Sequence, residues 1–250
     1  MNTDTNIPTI EAVNLTKRYE DGVLAVDNIN FEVQAGEVFA MLGGNGAGKT
    51  TAINIFLNML EPTKGEAKIK GIASHIEPLT VKKELAYVSE NVMLYPNFSA
   101  MQNIDFFTKL GGRTDVSEDE YHAVLRRVGL PEQVHSKKLK SFSKGMRQKC
   151  GIAIAILKNA SAILLDEPTS GLDPKAGFEF MNLLKELKEE GKAILMSTHD
   201  IFRAKEAAST IAIMDNGRMV MREAASNLFD KDLESIYMQY MAGHTTSLKV

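Results

Sequence analysis

Gly43-Gly44-Asn45-Gly46-Ala47-Gly48-Lys49-Thr50 follows the spacing G-x-x-x-x-G-K-S/T, and that spacing constrains what must surround it. A glycine-rich turn that feeds a helix aims several unpaired amides and the positive end of the helix dipole at one point, which suits a polyphosphate. The flanks meet this requirement. Glu37-Val38-Phe39-Ala40-Met41-Leu42 reads as a strand before the loop, and Thr51-Ala52-Ile53-Asn54-Ile55-Phe56-Leu57 reads as a helix after it. Gly43, Asn45, Gly46, Ala47 and Gly48 are then the cradle, and Lys49 pairs with the β- and γ-phosphates. Thr50 offers its hydroxyl to Mg²⁺, and Thr51 lies nearby as a phosphate donor. The expected ligands are a nucleotide polyphosphate and Mg²⁺.

Two further strand ends carry candidate chemistry. Ile163-Leu164-Leu165-Asp166-Glu167 delivers two acids to the edge of a parallel sheet where ligands bind. There Asp166 would hold the Mg²⁺ shell and Glu167 would polarise a water for in-line attack on the γ-phosphate. Taken alone, the string is equally compatible with a solvated strand end. His199 closes Met196-Ser197-Thr198-His199, where its imidazole can bond a phosphate oxygen or the attacking water, or simply be structural.

The rest of the chain alternates helix and strand patterns. Thr9 to Leu15 and Val23 to Val33 alternate apolar and polar residues, which predicts antiparallel strands joined by Glu20-Asp21-Gly22. Leu85 to Val88, Ala162 to Leu165 and Ala193 to Ser197 are short apolar runs that predict buried strands of a parallel or mixed central sheet. Between residues 91 and 159 the spacing turns helical over Ala100 to Leu110, Ser117 to Val128 and Lys144 to Leu157. Asp173-Pro174 starts another helix that runs to Glu190 and stops at Gly191, and Asp232 to Ala242 reads as an amphipathic tail helix. The fold class is therefore α/β, with an N-terminal antiparallel β part and an inserted helical lobe.

Composition narrows the functional classes. Lys and Arg total 29 against 32 for Asp and Glu, a net charge of −3, so there is no basic excess and no nucleic-acid partner is expected. The longest apolar stretch, Cys150 to Leu157, falls well short of the ~20 residues that span a bilayer. The polar start from Met1 to Pro8 lacks a secretory core, so a soluble, cytosolic chain is expected. Cys150 is the sole cysteine and reads as a packing residue.

The order of these segments resembles the nucleotide-binding domain of an ABC transporter across nearly the whole chain. Gly43 to Thr50 resembles its Walker A, Ile163 to Glu167 its Walker B with the catalytic glutamate, Ser170-Gly171-Leu172-Asp173 its D-loop, and His199 its switch histidine. Phe142-Ser143-Lys144-Gly145-Met146-Arg147-Gln148-Lys149 resembles the family signature, with Lys144 in place of the first glycine of LSGGQ and Met146 in place of its glutamine. Similar S-K-G-M forms occur in the ATPases of type II exporters. Physically, Ser143 and Gly145 at a helix start present a hydroxyl, amides and a helix N-terminus to an anion, and Ser143 also makes an ordinary N-cap. Tyr19 matches the aromatic residue that stacks on adenine. Glu90 occupies the Q-loop glutamine position, where its carboxylate can ligate Mg²⁺ at the expense of extra negative charge near the phosphates.

The resemblance implies a P-loop NTPase of one domain over 1–250. Residues 1–90 and 160–225 form the RecA-like core with its β part, 91–159 the signature subdomain, and 226–250 a C-terminal helix and tail. It implies a head-to-tail dimer, in the simplest case of identical copies, in which Ser143, Lys144, Gly145 and Met146 of one copy and the D-loop Asp173 face ATP held by the other. Hydrolysis would use Glu167, His199 and Lys49, with metal ligation by Thr50, Asp166 and Glu90. Separate transmembrane permease subunits would dock near Val92 to Phe98, placing the chain at the cytoplasmic face of a membrane, the inner membrane if bacterial. An exporter is the leading expectation, and a soluble ABC ATPase that remodels a protein assembly is the alternative.

Overall fold

The computed structural model of the chain describes residues 7–228 and 231–241. In chain order the elements are β1 (Ile10–Arg18), β2 (Leu24–Val33), β3 (Val38–Leu42), α1 (Lys49–Phe56), β4 (Lys64–Ile69), β5 (Ile72–Ala73), α2 (Pro78–Glu84) and β6 (Leu85–Val88). Then come α3 (Ala100–Leu110), α4 (Glu118–Arg127), α5 (Lys144–Leu157), β7 (Ala162–Asp166), α6 (Pro174–Glu189) and β8 (Ala193–Thr198). The last described elements are α7 (Ile201–Ala207), β9 (Thr210–Asp215), β10 (Arg218–Ala224) and α8 (Leu233–Met241).

The strands form an antiparallel sheet of order β2-β1-β4-β5 and a six-stranded sheet of order β10-β9-β3-β8-β7-β6. In the larger sheet β9, β3, β8, β7 and β6 are parallel, and β10 adds an antiparallel edge. Every residue of β3, β7 and β8 is buried, the pattern of strands covered on both faces. Period-two alternation divides their side chains between two cores. Val38, Ala40 and Leu42 join Ile163, Leu165, Ile194 and Met196 under helices α5 and α6. Phe39 and Met41 join Leu164, Leu195 and the antiparallel sheet, where Phe31 stacks on Phe39 at 4.7 Å and leans on Phe56 at 5.9 Å.

Side-chain caps start the helices where the sequence predicts them. Ser99 makes a reciprocal capping box with Gln102, Ser117 accepts from Glu120 N, Ser143 from Met146 N, and Asp173 from Ala176 N ahead of Pro174. Helix α6 ends at Glu189, and Gly191 (φ +84°) turns the chain out of it. Strand β1 runs past its expected end at Leu15 because Lys17 and Arg18 still pair with Val26 and Leu24. Strands β4, β5, β9 and β10 and helices α2 and α7 add to the expected elements. Lys-Gly-Glu-Ala-Lys-Ile of β4 and the half-exposed β10 carry weak strand signals of their own. The tail helix lies within its expected span, whose last residue, Ala242, is outside the described residues.

Cys150, fully buried on α5, packs in the helical-side core, and burial pushes its thiol up to about 12. Because the shift is upward, the thiol stays neutral at pH 7 to 9 in the folded chain, whereas an unfolded thiol ionises near pH 8.5. The expected outcome is a cysteine silent to a chromogenic disulfide reagent at pH 8 and titrating as one equivalent in denaturant. Rapid labelling without denaturant would contradict this packing.

Candidate nucleotide site

The phosphate loop leaves β3 at Leu42, whose cross-strand partner on β8 is Thr198, and Asp166 at the end of β7 pairs with Ser197. The strand order β3-β8-β7 thus brings the loop, the segment before His199 and the two acids to one sheet edge. The loop is close against its neighbours. A Cβ on Gly48 (φ +102°) would lie 2.2 Å from the Ala25 carbonyl oxygen, and one on Gly43 would lie 2.5 Å from that of Met214. Only glycine fits both positions. No side chain caps the amino end of α1, so its first amides keep their capacity for an anion.

Lys49 is only 6% exposed, and its Nζ donates to the carbonyl oxygens of Gly43 (2.7 Å) and Gly44 (3.1 Å). It also lies 3.3 Å from Glu167 Oε1. The ammonium therefore sits inside the turn of the loop, between loop and acid. Tyr19, part-exposed, places its hydroxyl 3.4 Å from Thr51 Oγ1, so an aromatic face stands beside the start of α1.

Asp166 is buried and receives three hydroxyl contacts. Thr50 Oγ1 lies 3.1 and 3.0 Å from its two carboxylate oxygens, and Ser197 Oγ donates to Oδ1 at 2.5 Å. The same Ser197 Oγ accepts from Glu167 N at 3.0 Å. Glu167 adopts φ +48°, a region that costs a non-glycine residue ~1–3 kcal/mol and recurs at functional sites. Its Oε2 takes the His199 ring Nδ1 at 2.8 Å and backbone N at 3.3 Å. Its Oε1 is buried and has no hydrogen-bond partner among the described residues, only the Lys49 charge. That oxygen is free to accept a hydrogen bond from a water, the geometric condition for a general base.

Among the described residues no three His, Cys, Asp or Glu side chains gather as a metal cage. The Thr50 hydroxyl and the Asp166 carboxylate instead supply two hard oxygens, which fits Mg²⁺, an ion that completes its shell from phosphates and water.

The signature residues begin α5. Ser143 is exposed and caps the helix, while Gly145 is buried, with the side chains of Leu172 and Ala176 3.4 Å from where its Cβ would stand. Asp173 caps α6. Glu90, expected on the metal side, directs Oε1 to Ser170 Oγ (2.8 Å) and Lys144 Nζ (3.2 Å). These hydrogen bonds, that from Ser170 foremost, hold its carboxyl below the usual range. The structure thus gathers Lys49, Thr50, Asp166, Glu167 and His199, with Tyr19 and Thr51 at the margin. The hydrogen bonds and ion pairs of the described residues link Ser143 and Met146 to none of the first four. Sequence reasoning missed Ser197, whose importance comes from lying opposite Asp166 on the next strand.

Residues 26–170 match the ABC transporter family. The chain is 31% identical over 241 residues to the ABC transporter ATP-binding protein NatA of Bacillus subtilis, covering 92% of this chain and 96% of that protein. It is 34% identical over 227 residues to the bacitracin transport ATP-binding protein BcrA of Enterococcus faecalis, covering 89% and 71%. Among solved structures it resembles the dimeric post-hydrolysis state of an ATP-binding cassette bound to ADP and Pi. That likeness has a TM-score of 0.78 and 29% identity over 86% of this chain and 98% of the other. No helix among the described residues is long and apolar enough to cross a membrane.

Gly48→Ala is expected to strain the loop and push it off Ala25, at a cost of ~1–3 kcal/mol for the forced overlap. That corresponds to a melting temperature lower by several degrees, at roughly 2–4 °C per kcal/mol for a chain of this size. Calorimetry together with titration of a fluorescent ATP analogue checks both the stability and the loss of binding.

Proposed function

Because this chain belongs to the ABC transporter family, we propose that it is the ATP-binding and ATP-hydrolysing subunit that energises a separate transmembrane permease, in an exporter. The observation that carries the hydrolytic part is Glu167, set between Lys49 and His199 beside the Thr50–Asp166 pair. The transport proteins among its relatives, the bacitracin transport subunit included, favour a permease partner over a soluble assembly to be remodelled. The site residues keep the roles read from the sequence, apart from Glu90, whose Oε1 is held by Ser170 and Lys144. Gly43 to Thr51 cradle the phosphates, Tyr19 faces the adenine, and Ser143, Lys144, Gly145, Met146 and Asp173 serve the nucleotide of the opposing subunit. The partner subunit is a second copy of this chain. The pair works at the cytoplasmic face of the membrane.

The chemistry follows from positions and charges. Lys49 releases its two loop carbonyls and turns to the β- and γ-oxygens, whose negative charge replaces the weaker carbonyl dipoles. Glu167 takes the proton of the attacking water on Oε1. His199, bonded to Oε2, fixes the carboxylate's plane and can reach the γ-phosphate with the rest of its exposed ring. Mg²⁺, held by Thr50 and Asp166, would neutralise charge on the phosphate oxygens. A completed site needs a hydroxyl and a helix start from a second copy, so nucleotide closes the dimer and hydrolysis reopens it, and that two-state motion drives the permease.

Glu167→Gln is expected to lower ATP turnover by about 10²- to 10⁴-fold while retaining ATP binding and accumulating a closed dimer, read by phosphate release and size-exclusion chromatography. Full hydrolysis by that variant removes Glu167 as the base. Lys49→Ala is expected to act on binding instead, weakening retention of a labelled ATP analogue. For the partner, affinity purification from detergent-solubilised membranes is expected to recover a polytopic protein, and recovery of only soluble proteins would move the reading to assembly remodelling.

A further inference from the structure

Two departures from the family pattern lie 54 residues apart in the sequence and touch in the fold: Glu90 after β6 and Lys144 at the start of α5. Lys144 and Gln148 are one helical turn apart and face the same segment. Lys144 Nζ donates to Glu90 Oε1 at 3.2 Å, while fully buried Gln148 donates through Nε2 to the carbonyls of Ser89 (3.1 Å) and Glu90 (2.8 Å). From the other side Ser170 Oγ donates to the same Oε1 at 2.8 Å, and Ser170 N donates to the Glu167 carbonyl at 3.1 Å. One carboxylate oxygen thereby ties the signature helix to the turn that carries the base.

We propose that Glu90 and Lys144 are a matched pair of positioning residues that sets the angle of the signature helix against the Glu167–Ser170 turn within one subunit. The inference deepens the ATPase reading and rests on it. A neutral side chain at position 90 would give Lys144 a weaker acceptor, and a small residue at 144 would leave the Glu90 charge uncompensated near bound phosphates, so each departure makes the other tolerable. The pair is only part-buried, with side chains 26% and 45% exposed for Lys144 and Glu90, so its contribution to global stability is small. Its effect lies in geometry. It also assigns the Glu90 oxygen nearest Lys144 to the protein's own contacts and leaves the metal to Thr50 and Asp166.

The test is a double-mutant cycle on the full chain with E90Q, K144A and E90Q/K144A, read in two ways. Without nucleotide, hydrogen–deuterium exchange is expected to rise in 143–148 and 167–173 for each single variant, and no further in the double. With Mg-ATP, K144A is expected to lower kcat by about fivefold or more with little change in KM, and adding E90Q to recover much of that loss. Effects that add in the double variant, or exchange unchanged in 167–173, would overturn the pairing. So would a rise in the Mg²⁺ concentration needed by E90Q for half-maximal turnover, which would make Glu90 a metal ligand. The exchange arm runs without ATP, so it decides the pairing even if the unsubstituted chain proves not to hydrolyse ATP, the result that would instead sink the ATPase reading.

Discussion

The hydroxyl of Ser197 donates to Asp166 and accepts from the amide of Glu167, and through those two bonds it fixes both acids of the site. It can do so only because β7 and β8 pair parallel with Asp166 opposite Ser197. That register in turn depends on strands whose every side chain is covered, since a slip of one residue would exchange the two faces and expose one core to the other's partners. The site is thus anchored in the most buried part of the fold, and its precision is a by-product of the sheet's packing.

Against that anchorage stands a local cost. Glu167 is held at positive φ, an arrangement that persists where surrounding bonds over-determine it. Here the amide is taken by Ser197, the carbonyl by Ser170, and one carboxylate oxygen by His199. The remaining oxygen faces Lys49. The Lys49 charge offsets the burial of that oxygen without filling its hydrogen-bonding capacity, so it stays open to a further donor.

Local patterns were the legible part of this chain. Gly43 to Thr50 announces its own flanks, and Ser143 and Asp173 announce helix starts, because a cap is a bond between residues three apart. Apolar runs at β3, β7 and β8 were readable since coverage on both faces needs continuous hydrophobicity. Strands β4 and β10 were not, because β4 buries only Ala67 and Ile69, β10 buries none of its residues, and each owes its conformation to a neighbour on the ladder. Ser197 and the partners of Glu90 escaped for a related reason. Their roles come from long-range pairing, and nothing in a serine before Thr198-His199, or a lysine in a helix start, marks a contact more than 30 residues away.

The seating of the phosphate loop has a thermodynamic consequence. Gly43 and Gly48 are packed on Met214 and Ala25, and the Gly217 amide bonds the Ala47 carbonyl, so the loop's shape is fixed when the chain folds and before any ligand arrives. The entropy of ordering it is therefore charged to folding and not to association. Nucleotide binding to a single subunit would then exchange polar partners around Lys49 while burying little new apolar surface, and its heat-capacity change would stay small. The larger heat-capacity change would belong to the meeting of two subunits, which lets calorimetry separate occupancy of the loop from closure of the dimer.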